Sequence, residues 1–411
     1  MANSRRMLLV LSGNISTTPR AKKFIKTAIR QGWEIDLYML NRGDKWFAND
    51  KLYLSSNNLT GHYLPFSRKE SLHTWLIGAL TKEMGELFTF SSSRLQAMAT
   101  SKANVPYILN TSKIVNRGYS LVMGFSQMIY PARALAQKFE VPFAFDMEDY
   151  HPWENMYHRN RQREITRRNR IYCNLLPKAA FVTFASPLIK QKTDELLKQS
   201  NANIICGKVV NNTFNASDFE LKAVSDEKVQ FVWFSQTVSY GRGLEQILPA
   251  LAQFSDKVHL TLIGNMDQGF FDRVLRPYSS FVTVKGVMTE QNLHGELCHY
   301  DIGLAIEQTC SDNMLDNRIL CLTNKIFAYM LSGCYILATD TPAQSEFINR
   351  EYSNHGMVCG QHSTDMIMAV NSIIDNIDAI RNEKPLRFAA AKSSAWENEE
   401  KKIIDLLHII S

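Results

Sequence analysis

Three signatures of common protein classes are missing from this sequence. The seven cysteines form no C-x-x-C pair and have mostly apolar neighbours, which favours reduced thiols in cores over a zinc site. The longest apolar runs, such as 7–11 and 334–338, fall far short of the roughly 20 residues of a membrane-spanning helix. No G-x-G-x-x-G follows the first predicted strand, which disfavours a nicotinamide-dependent dehydrogenase. We therefore expect a cytoplasmic protein without a metal site.

The composition indicates a folded protein of two domains. The chain of 411 residues is too long for one typical core, and its 45% hydrophobic and 21% charged residues are ordinary for a globular protein. The net charge of +6 fits an anionic nucleotide ligand, an anionic membrane surface or no specific partner, and leaves all three open.

Apolar runs of strand length alternate with helical periodicity along almost the whole chain, which is typical of parallel sheets with crossover helices. The predicted strands are 7–12, 34–40, 62–65, 121–125, 141–146, 180–185, 204–210, 229–234, 259–263, 281–284, 301–306, 335–338 and 357–359. The expected fold class is α/β, with two doubly wound, Rossmann-like sheets. Ligands of such sheets bind beyond the carboxyl ends of the strands, so two facing sheets predict a cleft.

A polar stretch at 211–228 interrupts the alternation and predicts a surface linker. We expect an N-terminal domain at 1–210, a C-terminal domain at 229–385 and a helical tail at 386–411. The tail should pack on a domain, because its apolar residues fall on one side of a Glu/Lys-rich helix: Trp396, Ile403, Ile404, Leu407 and Ile410.

The loop after the first strand holds Gly13, Asn14 and Arg20. Its single glycine permits a ligand to approach the backbone closely. An ordinary turn, with Thr17 or Thr18 capping the next helix, explains the loop equally well.

Four polar residues close the apolar strand 141–146: Asp146, Glu148, Asp149 and His151. Carboxylates at a strand end can accept a proton from an acceptor hydroxyl, orient it or hold a divalent cation. The competing interpretation is that they cap a helix beginning near Pro152. We favour a functional role without a metal.

A basic run predicts a helix that is charged around most of its circumference: Arg159, Arg161, Arg163, Arg167, Arg168 and Arg170. We favour a solvated face, with contact to anionic lipid as the alternative. Nucleic acid is disfavoured as a partner, because no aromatic residue is interleaved before Tyr172. The apolar segment 75–80, followed by Leu87 and Phe88, predicts either a core helix or a second contact with a membrane.

In the second half, residues 240–245 join a strand to a helix and include Gly241 and Arg242. Amides at a helix N-terminus attract anions, and an arginine can donate two hydrogen bonds to a phosphate. A loop with one surface arginine is the alternative. Gly264 and Asn265 follow the next strand and predict either backbone contacts with a base or a tight turn.

Lys325 is the most informative single residue. Thr323 or Asn324 is expected to cap the following helix, which places Lys325 in the first turn. A lysine there opposes the helix dipole, whereas a bound diphosphate would reverse that sign. The position of this lysine therefore predicts an anionic ligand.

In their order, the stretches 209–214, 240–245 and 323–333 resemble the GT-B glycosyltransferases, and most nearly glycosyltransferase family 4. By position, Arg242 resembles the basic residue of the family's Lys-Gly motif, and Lys325 lies at the helix start that faces the donor diphosphate. The resemblance implies an N-terminal acceptor domain and a C-terminal nucleotide-sugar domain that face each other across a cleft. It also implies a C-terminal helix that crosses back to the N-terminal domain.

The resemblance further implies transfer of a sugar from a nucleoside diphosphate to a glycan or lipid-linked acceptor, with retention and in surface polysaccharide synthesis. Neither a cofactor nor an essential metal is implied, and the protein would be cytoplasmic, either free or peripheral at the inner face of the membrane. Arg242 and Lys325 would be catalytic, because they stabilise the leaving phosphate. The expected donor-binding residues are Ser235, Gly241, Gly264, Asn265, Glu307, Thr323 and Asn324. The expected acceptor- or sugar-binding residues are Gly13, Asn14, Arg20, Asp146, Glu148, Asp149 and His151.

The sequence departs from the family pattern at three positions. Leu320 and Ala328 stand where the family has two glutamates, the second of which holds the ribose, and Gln236 stands near its first phosphate-binding arginine. Glu307 is the candidate replacement for the ribose ligand. Two alternative functions are a nucleotide-sugar epimerase of the same fold and a non-catalytic homologue that binds nucleotide sugars.

Overall fold

The computed structural model describes residues 5–41, 46–57, 59–154, 160–203, 205–224, 226–308 and 317–410. Arg159 of the basic run and Cys310 lie outside these ranges. The chain divides into two compact units: the first comprises Met1–Val210 and Glu400–Ser411, and the second comprises Asn211–Glu399. Within the described ranges, no helix has both the length and the apolar character needed to cross a membrane.

The first unit is built on a parallel sheet. Its strands are β1 (Arg5–Val10), β2 (Trp33–Asn41), β3 (Thr60–Pro65), β4 (Tyr119–Phe125), β5 (Phe143–Met147), β6 (Phe181–Phe184) and β7 (Gly207–Val209). Their order in the sheet is β3-β2-β1-β4-β5-β6-β7. Its helices are α1 (Pro19–Arg30), α2 (Trp46–Ser56), α3 (Leu72–Leu87), α4 (Ser93–Thr100), α5 (Asn104–Asn110), α6 (Ile129–Phe139), α7 (Arg161–Leu175) and α8 (Pro187–Gln199).

The second unit repeats this architecture. Its strands are β8 (Val229–Val238), β9 (Val258–Met266), β10 (Val282–Lys285), β11 (Ile302–Ala305), β12 (Tyr335–Thr339) and β13 (Gly356–Cys359). Their order is β10-β9-β8-β11-β12-β13. Its helices are α9 (Leu244–Ala252), α10 (Gln268–Phe270), α11 (Glu290–Leu297), α12 (Asn324–Leu331), α13 (Pro342–Glu351), α14 (Ser363–Asp375), α15 (Ile377–Asn382) and α16 (Lys384–Ala391), and α17 (Trp396–His408) follows.

All thirteen predicted strands are present, with ends shifted by a few residues. Helices pack on both faces of the second sheet, and its central strands β8, β11 and β12 are rich in apolar residues. In β8, Phe231 and Trp233 are buried in one hydrophobic cluster with α9 and α14. Val232 lies between them and is buried in a second cluster with α12. This alternation places core on both faces of the second sheet.

The first part of the predicted surface linker at 211–228 packs on the second unit. Phe214 and Phe219 are buried, and both rings contact the imidazole of His294, with ring centroids 4.6 and 4.3 Å away. These two aromatic side chains anchor the first part of the stretch, whereas Glu220 and Leu221 after them are exposed. Of the predicted core thiols, Cys334 is buried whereas Cys206 is exposed.

The basic run does not form one solvated face. Within α7, Arg167 and Arg168 are buried, and both bond to the buried carboxylate of Glu164, at 2.6 and 2.7 Å. Arg170 on the same helix is exposed. The number of positive charges in the run does not reveal this pairing. The counter-ion of two of the arginines, Glu164, lies within the same helix.

The chain enters and leaves the second unit at one place. The backbone N–H of Asn211 donates to Glu399 Oε2 at 2.9 Å, and its side-chain amide donates to Oε1 at 3.3 Å. In the first unit, Glu400 accepts hydrogen bonds from Thr27 and Arg30 of α1, at 2.9 and 3.0 Å. The predicted tail at 386–411 is thus divided, with its last twelve residues in the first unit.

Candidate functional site

The strand order of the second sheet reverses between β8 and β11. These strands are neighbours in the sheet, although β9 and β10 separate them along the chain. They pair only at Phe231 with Ile302 and at Val232 with Gly303, whereas β8 continues to Val238 alongside β9. Open α/β sheets bind ligands at such a switch point, beyond the carboxyl ends of the strands.

Three charged residues converge at this point. Glu307 follows β11, Arg242 lies between β8 and α9, and Lys325 is in the first turn of α12. The Lys325 ammonium lies 3.0 Å from Glu307 Oε1, and Arg242 Nη1 lies 3.9 Å from Oε2. Lys325 is buried, whereas 41% of the Arg242 side chain is exposed. Two cations share one carboxylate, so the group carries a net positive charge next to solvent.

Lys325 lies near the positive end of α12, and neighbouring groups offset this unfavourable position. Thr323 caps α12 by accepting a hydrogen bond from the Lys325 N–H at 3.5 Å. The ammonium lies over the Trp233 ring, 5.2 Å from its centroid. The carboxylate of Glu307 and the face of the indole together offset the repulsion from the helix dipole.

Two residues that sequence reasoning missed hold the loops of this site. The Thr339 hydroxyl accepts from the Glu307 N–H and donates to its carbonyl oxygen, both at 2.9 Å. Arg318 donates to the carbonyl oxygens of Gly241 and Gln308, at 3.1 and 2.9 Å. It thereby links the loop after β8 to the loop after β11. A threonine that ends a strand and an arginine in a short turn carry no local signal of such a role.

The glycines before α9 do not present the expected row of open amides. The N–H of Gly241 donates to Glu245 Oε1 at 2.7 Å, so this amide is already engaged. Gly241 and Gly243 have φ of +71° and +82°, which glycine adopts without strain. Their contribution is therefore the sharp turn that aims Arg242 at Glu307.

Three expected donor-binding residues, Ser235, Gly264 and Asn265, lie at an irregularity in the pairing of β8 with β9. Gly264 has φ of +151°, and a Cβ there would lie 2.2 Å from the carbonyl oxygen of Ser235. Asn265 follows, is exposed and pairs with Thr237. Asn324, in contrast, opens α12 beside Lys325.

The position of the family's second glutamate faces the core. Ala328 is fully buried in the apolar cluster around α12, and Leu320 is 7% exposed. A carboxylate at position 328 would be buried among apolar side chains at high cost. The only carboxylate that the described ranges bring to Lys325 within ion-pair distance is Glu307.

In the first unit, two expected acceptor-binding residues form a buried ion pair. Arg20 Nε lies 2.9 and 2.8 Å from the two carboxylate oxygens of Asp146, and Arg20 Nη1 donates to the Val210 carbonyl at 2.6 Å. Thr183 also donates to Asp146. These bonds connect α1 to the ends of β5, β6 and β7. Their effect is to stabilise the structure of the first unit.

Glu148, Asp149 and His151 follow β5. The helix predicted to begin near Pro152 is present as a 3-10 turn, His151–Trp153. Residues 155–159 lie outside the described ranges, and α7 begins at Arg161, capped by Asn160. Burial, reinforced by the charges of Asp149 and Asp146, raises the pKa of Glu148 to about 7. In the described ranges, no cluster of three or more His, Cys, Asp or Glu side chains is arranged to hold a metal ion.

His151 pairs with Glu154 through Nδ1. Burial lowers the pKa of this imidazole, but the adjacent carboxylate outweighs burial, and the net effect is a raised pKa. Its Nε2 is buried and has no hydrogen-bond partner among the described residues. His151 lines a small cavity together with Asn104 and Tyr172.

The loop after β1 is held internally. Asn14 is buried and donates to Asp50 Oδ2 at 2.9 Å, and the Ser16 N–H donates to the other oxygen of Asp50 at 2.9 Å. Thr18 occupies the cap position of α1, but its hydroxyl donates to the Asn14 carbonyl instead of accepting from the helix. A Cβ at Gly13 would meet nothing within 4 Å, so this position borders open space.

No family model matches the sequence, and no curated protein matches it significantly. Solved structures match over nearly the whole chain. Anabaena Alr3699/HepE in complex with UDP and glucose superposes with a TM-score of 0.62 at 15% identity, covering 98% of this chain and 99% of its own. A glycosyltransferase from Rickettsia africae ESF-5 gives 0.64 at 13% identity, covering 100% and 99%. An α,α-trehalose-phosphate synthase (UDP-forming) from Burkholderia vietnamiensis gives 0.60 at 9%, covering 98% and 100%.

The chain has the GT-B fold. The expected fold class is thereby confirmed, with two Rossmann-like sheets of seven and six parallel strands. Membership of glycosyltransferase family 4 stays a prediction, because identities this low establish the architecture alone.

Proposed function

We propose that the protein is a glycosyltransferase that transfers a sugar from a nucleoside-diphosphate sugar to a glycan or lipid-linked acceptor. The observation that carries this proposal is the convergence of Arg242 and Lys325 on one carboxylate at the switch point of the second sheet. Retention of the anomeric configuration, independence of an essential metal and a role in surface polysaccharide synthesis belong to the same proposal.

The donor diphosphate is the group that two such cations suit. Arg242 donates two hydrogen bonds to one phosphate, and Lys325 adds a point charge at the positive end of α12. As the bond from the sugar to the phosphate breaks, negative charge grows on the leaving diphosphate, and both cations stabilise it. The departing phosphate accepts the proton of the acceptor hydroxyl, so no separate base is required.

Glu307 has two tasks in this scheme. In the free protein it neutralises Lys325, and with donor bound it accepts a hydrogen bond from a ribose hydroxyl, in place of the glutamate that Ala328 replaces. UDP is the first nucleotide to test, because the structure of Alr3699/HepE contains UDP and the trehalose-phosphate synthase is UDP-forming.

We place acceptor binding in the first unit, at the loops after β1 and β5. Glu148, with a pKa raised to about 7, is protonated in part near neutral pH and orients an acceptor hydroxyl by hydrogen bonding. Asp149, His151 and Gly13 border the same strand ends. Arg20 and Asp146 support this loop through their buried ion pair.

The decisive experiment measures UDP binding and sugar transfer in Arg242→Ala and Lys325→Ala. Each variant is expected to weaken UDP binding by about 2 kcal/mol, or roughly 30-fold, because each removes a charge-assisted contact to phosphate. Arg350→Ala and Lys257→Ala are matched controls. Arg350 lies in the last turn of α13, and Lys257 directly precedes β9, so both are near the amino ends of the strands, away from the proposed site. Both control variants should bind UDP as the wild type does.

Three further results separate the alternatives. Wild-type binding and transfer in both variants would remove the diphosphate site from consideration. Conversion of a nucleotide sugar without any acceptor would identify an epimerase, and binding without either reaction would identify a non-catalytic homologue. Chelation of divalent metals is expected to leave transfer unchanged.

A further inference from the structure

Helix α3 carries a row of large apolar side chains on its solvent side. We call this row the leucine stripe: Leu72, Leu76, Leu80, Met84, Leu87 and the adjacent Phe88. Each of these side chains is between 39% and 68% exposed. Spacings of three and four residues place them along one face of a helix about 24 Å long. Contiguous exposed apolar surface of this kind marks an interaction site.

The opposite face of α3 explains why the leucines point outward. Thr74, Gly78 and Gly85 are its buried residues. A Cβ at Gly85 would lie 2.7 Å from Ala99 of α4 and 2.9 Å from the Arg167 guanidinium. The helix therefore packs on its own unit through small residues, and this packing commits the large ones to the outside.

Positive charge flanks the stripe at both ends. Arg68 and Lys69, directly before α3, are exposed, as is Arg94 at the start of α4. The cations of Arg68 and Lys102 each lie 5.5 Å from the ring centroid of Trp75, beside the stripe. Five Lys or Arg and three Glu lie between positions 67 and 102, a surplus of two positive charges.

The end of the stripe leads directly into a basic pocket. The two residues after Phe88 line a pocket of about 200 Å³ together with Arg163, Arg167 and Arg170 of α7. Arg163 and Arg167 donate to the carbonyl oxygens of Glu86 and Gly85, where α3 ends. Cations at a helix C-terminus are favourable, and here they also place positive charge beside exposed apolar residues.

We propose that the leucine stripe and this basic pocket form a docking surface for an anionic lipid bilayer. The helix lies in the plane of the interface, its leucines enter the acyl boundary, and Trp75 with its two cations sits at headgroup level. Arg163 and Arg170 bind lipid phosphates at the end of the stripe. This proposal does not depend on the proposed transferase function, because binding to lipid requires no sugar transfer.

The charge distribution favours a bilayer over a second copy of this chain. Both ends of the stripe are basic, so two copies packed through it would bring like charges together in a parallel or an antiparallel arrangement. An anionic surface attracts the basic residues at both ends of the stripe at the same time. Glu83 is the one carboxylate on the exposed face of α3 and opposes the interaction, which makes it a useful reporter.

The test is flotation of the full-length protein with vesicles of phosphatidylcholine alone and with one third phosphatidylglycerol. The wild type is expected to float with the anionic vesicles and to bind neutral ones roughly tenfold more weakly. Leu76→Glu/Leu80→Glu should reduce binding to anionic vesicles about tenfold or more. Leu52→Glu, at a still more exposed leucine of α2, is the control outside the stripe and should leave binding unchanged.

Two charge variants sharpen the result. Glu83→Lys should strengthen binding to anionic vesicles, a gain that misfolding does not produce, and Arg170→Glu should weaken it. The proposal is overturned if the wild type binds neither kind of vesicle, or if Leu76→Glu/Leu80→Glu floats with anionic vesicles as well as the wild type does. Sedimentation as a dimer that the double variant dissociates would assign the stripe to self-association instead.

Discussion

Replacing Glu307 by glutamine should make the second unit bind inorganic pyrophosphate more tightly. In the free protein the Glu307 carboxylate is 3.0 Å from the Lys325 ammonium and 3.9 Å from the Arg242 guanidinium. A diphosphate that uses the same two cations must approach this negative charge. Glutamine keeps the shape and an acceptor oxygen for Lys325, but it removes the repulsion.

The geometry sets the size of the effect. A phosphate oxygen bonded to Lys325 opposite Glu307 lies roughly 5 Å from the carboxylate, because each hydrogen bond spans about 3 Å. At an effective dielectric constant of about 20, two unit charges at that separation repel by about 3 kcal/mol. Solvent reaches Arg242 and screens part of this, so we expect about 2 kcal/mol, or roughly 30-fold tighter binding.

Isothermal titration with pyrophosphate and with UDP provides the assay. If Glu307 also accepts a hydrogen bond from ribose, Glu307→Gln should improve the binding free energy of UDP less than that of pyrophosphate, by about 2 kcal/mol. Glu346→Gln is the matched control, because Glu346 is partly exposed in the same unit and pairs only with Arg350 on its own helix in the described ranges. Unchanged or weaker pyrophosphate binding in a folded Glu307→Gln variant would refute the role of Glu307 as an internal counter-ion of Lys325 and Arg242.

Two further predictions concern stability. The raised pKa of Glu148, about 7 against 4.5 when unfolded, means that the folded state retains the proton, so this stabilising contribution is complete below about pH 4.5 and is lost as the pH rises through 7. Between about pH 5 and pH 8 the wild type should therefore lose up to about 3 kcal/mol relative to Glu148→Gln, as measured by chemical denaturation. Gly264→Ala should destabilise the second unit by about 3 kcal/mol, because φ is +151° and the new Cβ meets a carbonyl oxygen at 2.2 Å, whereas Gly286→Ala, which meets nothing within 4 Å, should change little.

Each of these predictions has a contrary outcome. An identical pH dependence in the wild type and Glu148→Gln would mean that this carboxyl titrates as in the unfolded chain. Equal melting temperatures for the two glycine variants would mean that the irregularity between β8 and β9 relaxes without cost.

The strands could be predicted because burial on both faces of a parallel sheet leaves a strong local signal. β4 and β12 consist almost entirely of apolar residues, and β12 follows a stretch of helical periodicity. The helices between β3 and β4 could be predicted less well from the sequence. There the chain mixes serines, glycines and leucines, and the resulting elements pack through small residues, which hydrophobic periodicity does not register.

The candidate site could be predicted only in part. Lys325 was identifiable, since a lysine in the first turn of a helix conflicts with the dipole, and such a conflict is visible in one short segment. Its partner was not, because Glu307 lies 18 positions earlier after another strand, and only the sheet order brings the two together. Arg318 and Thr339 act through backbone atoms of distant loops, and no sequence pattern specifies those contacts.

The clasp between Asn211 and Glu399 makes the second unit a closed insertion in the chain. Its two ends are joined by the hydrogen bonds between Asn211 and Glu399, and α17 (Trp396–His408) runs across the second boundary. The six-stranded sheet is therefore inserted into the first unit through one short junction. A segment that replaces positions 211–399 has to bring its two ends together at this junction and continue into α17, and the first unit's own strands, from β1 to β7, then remain uninterrupted.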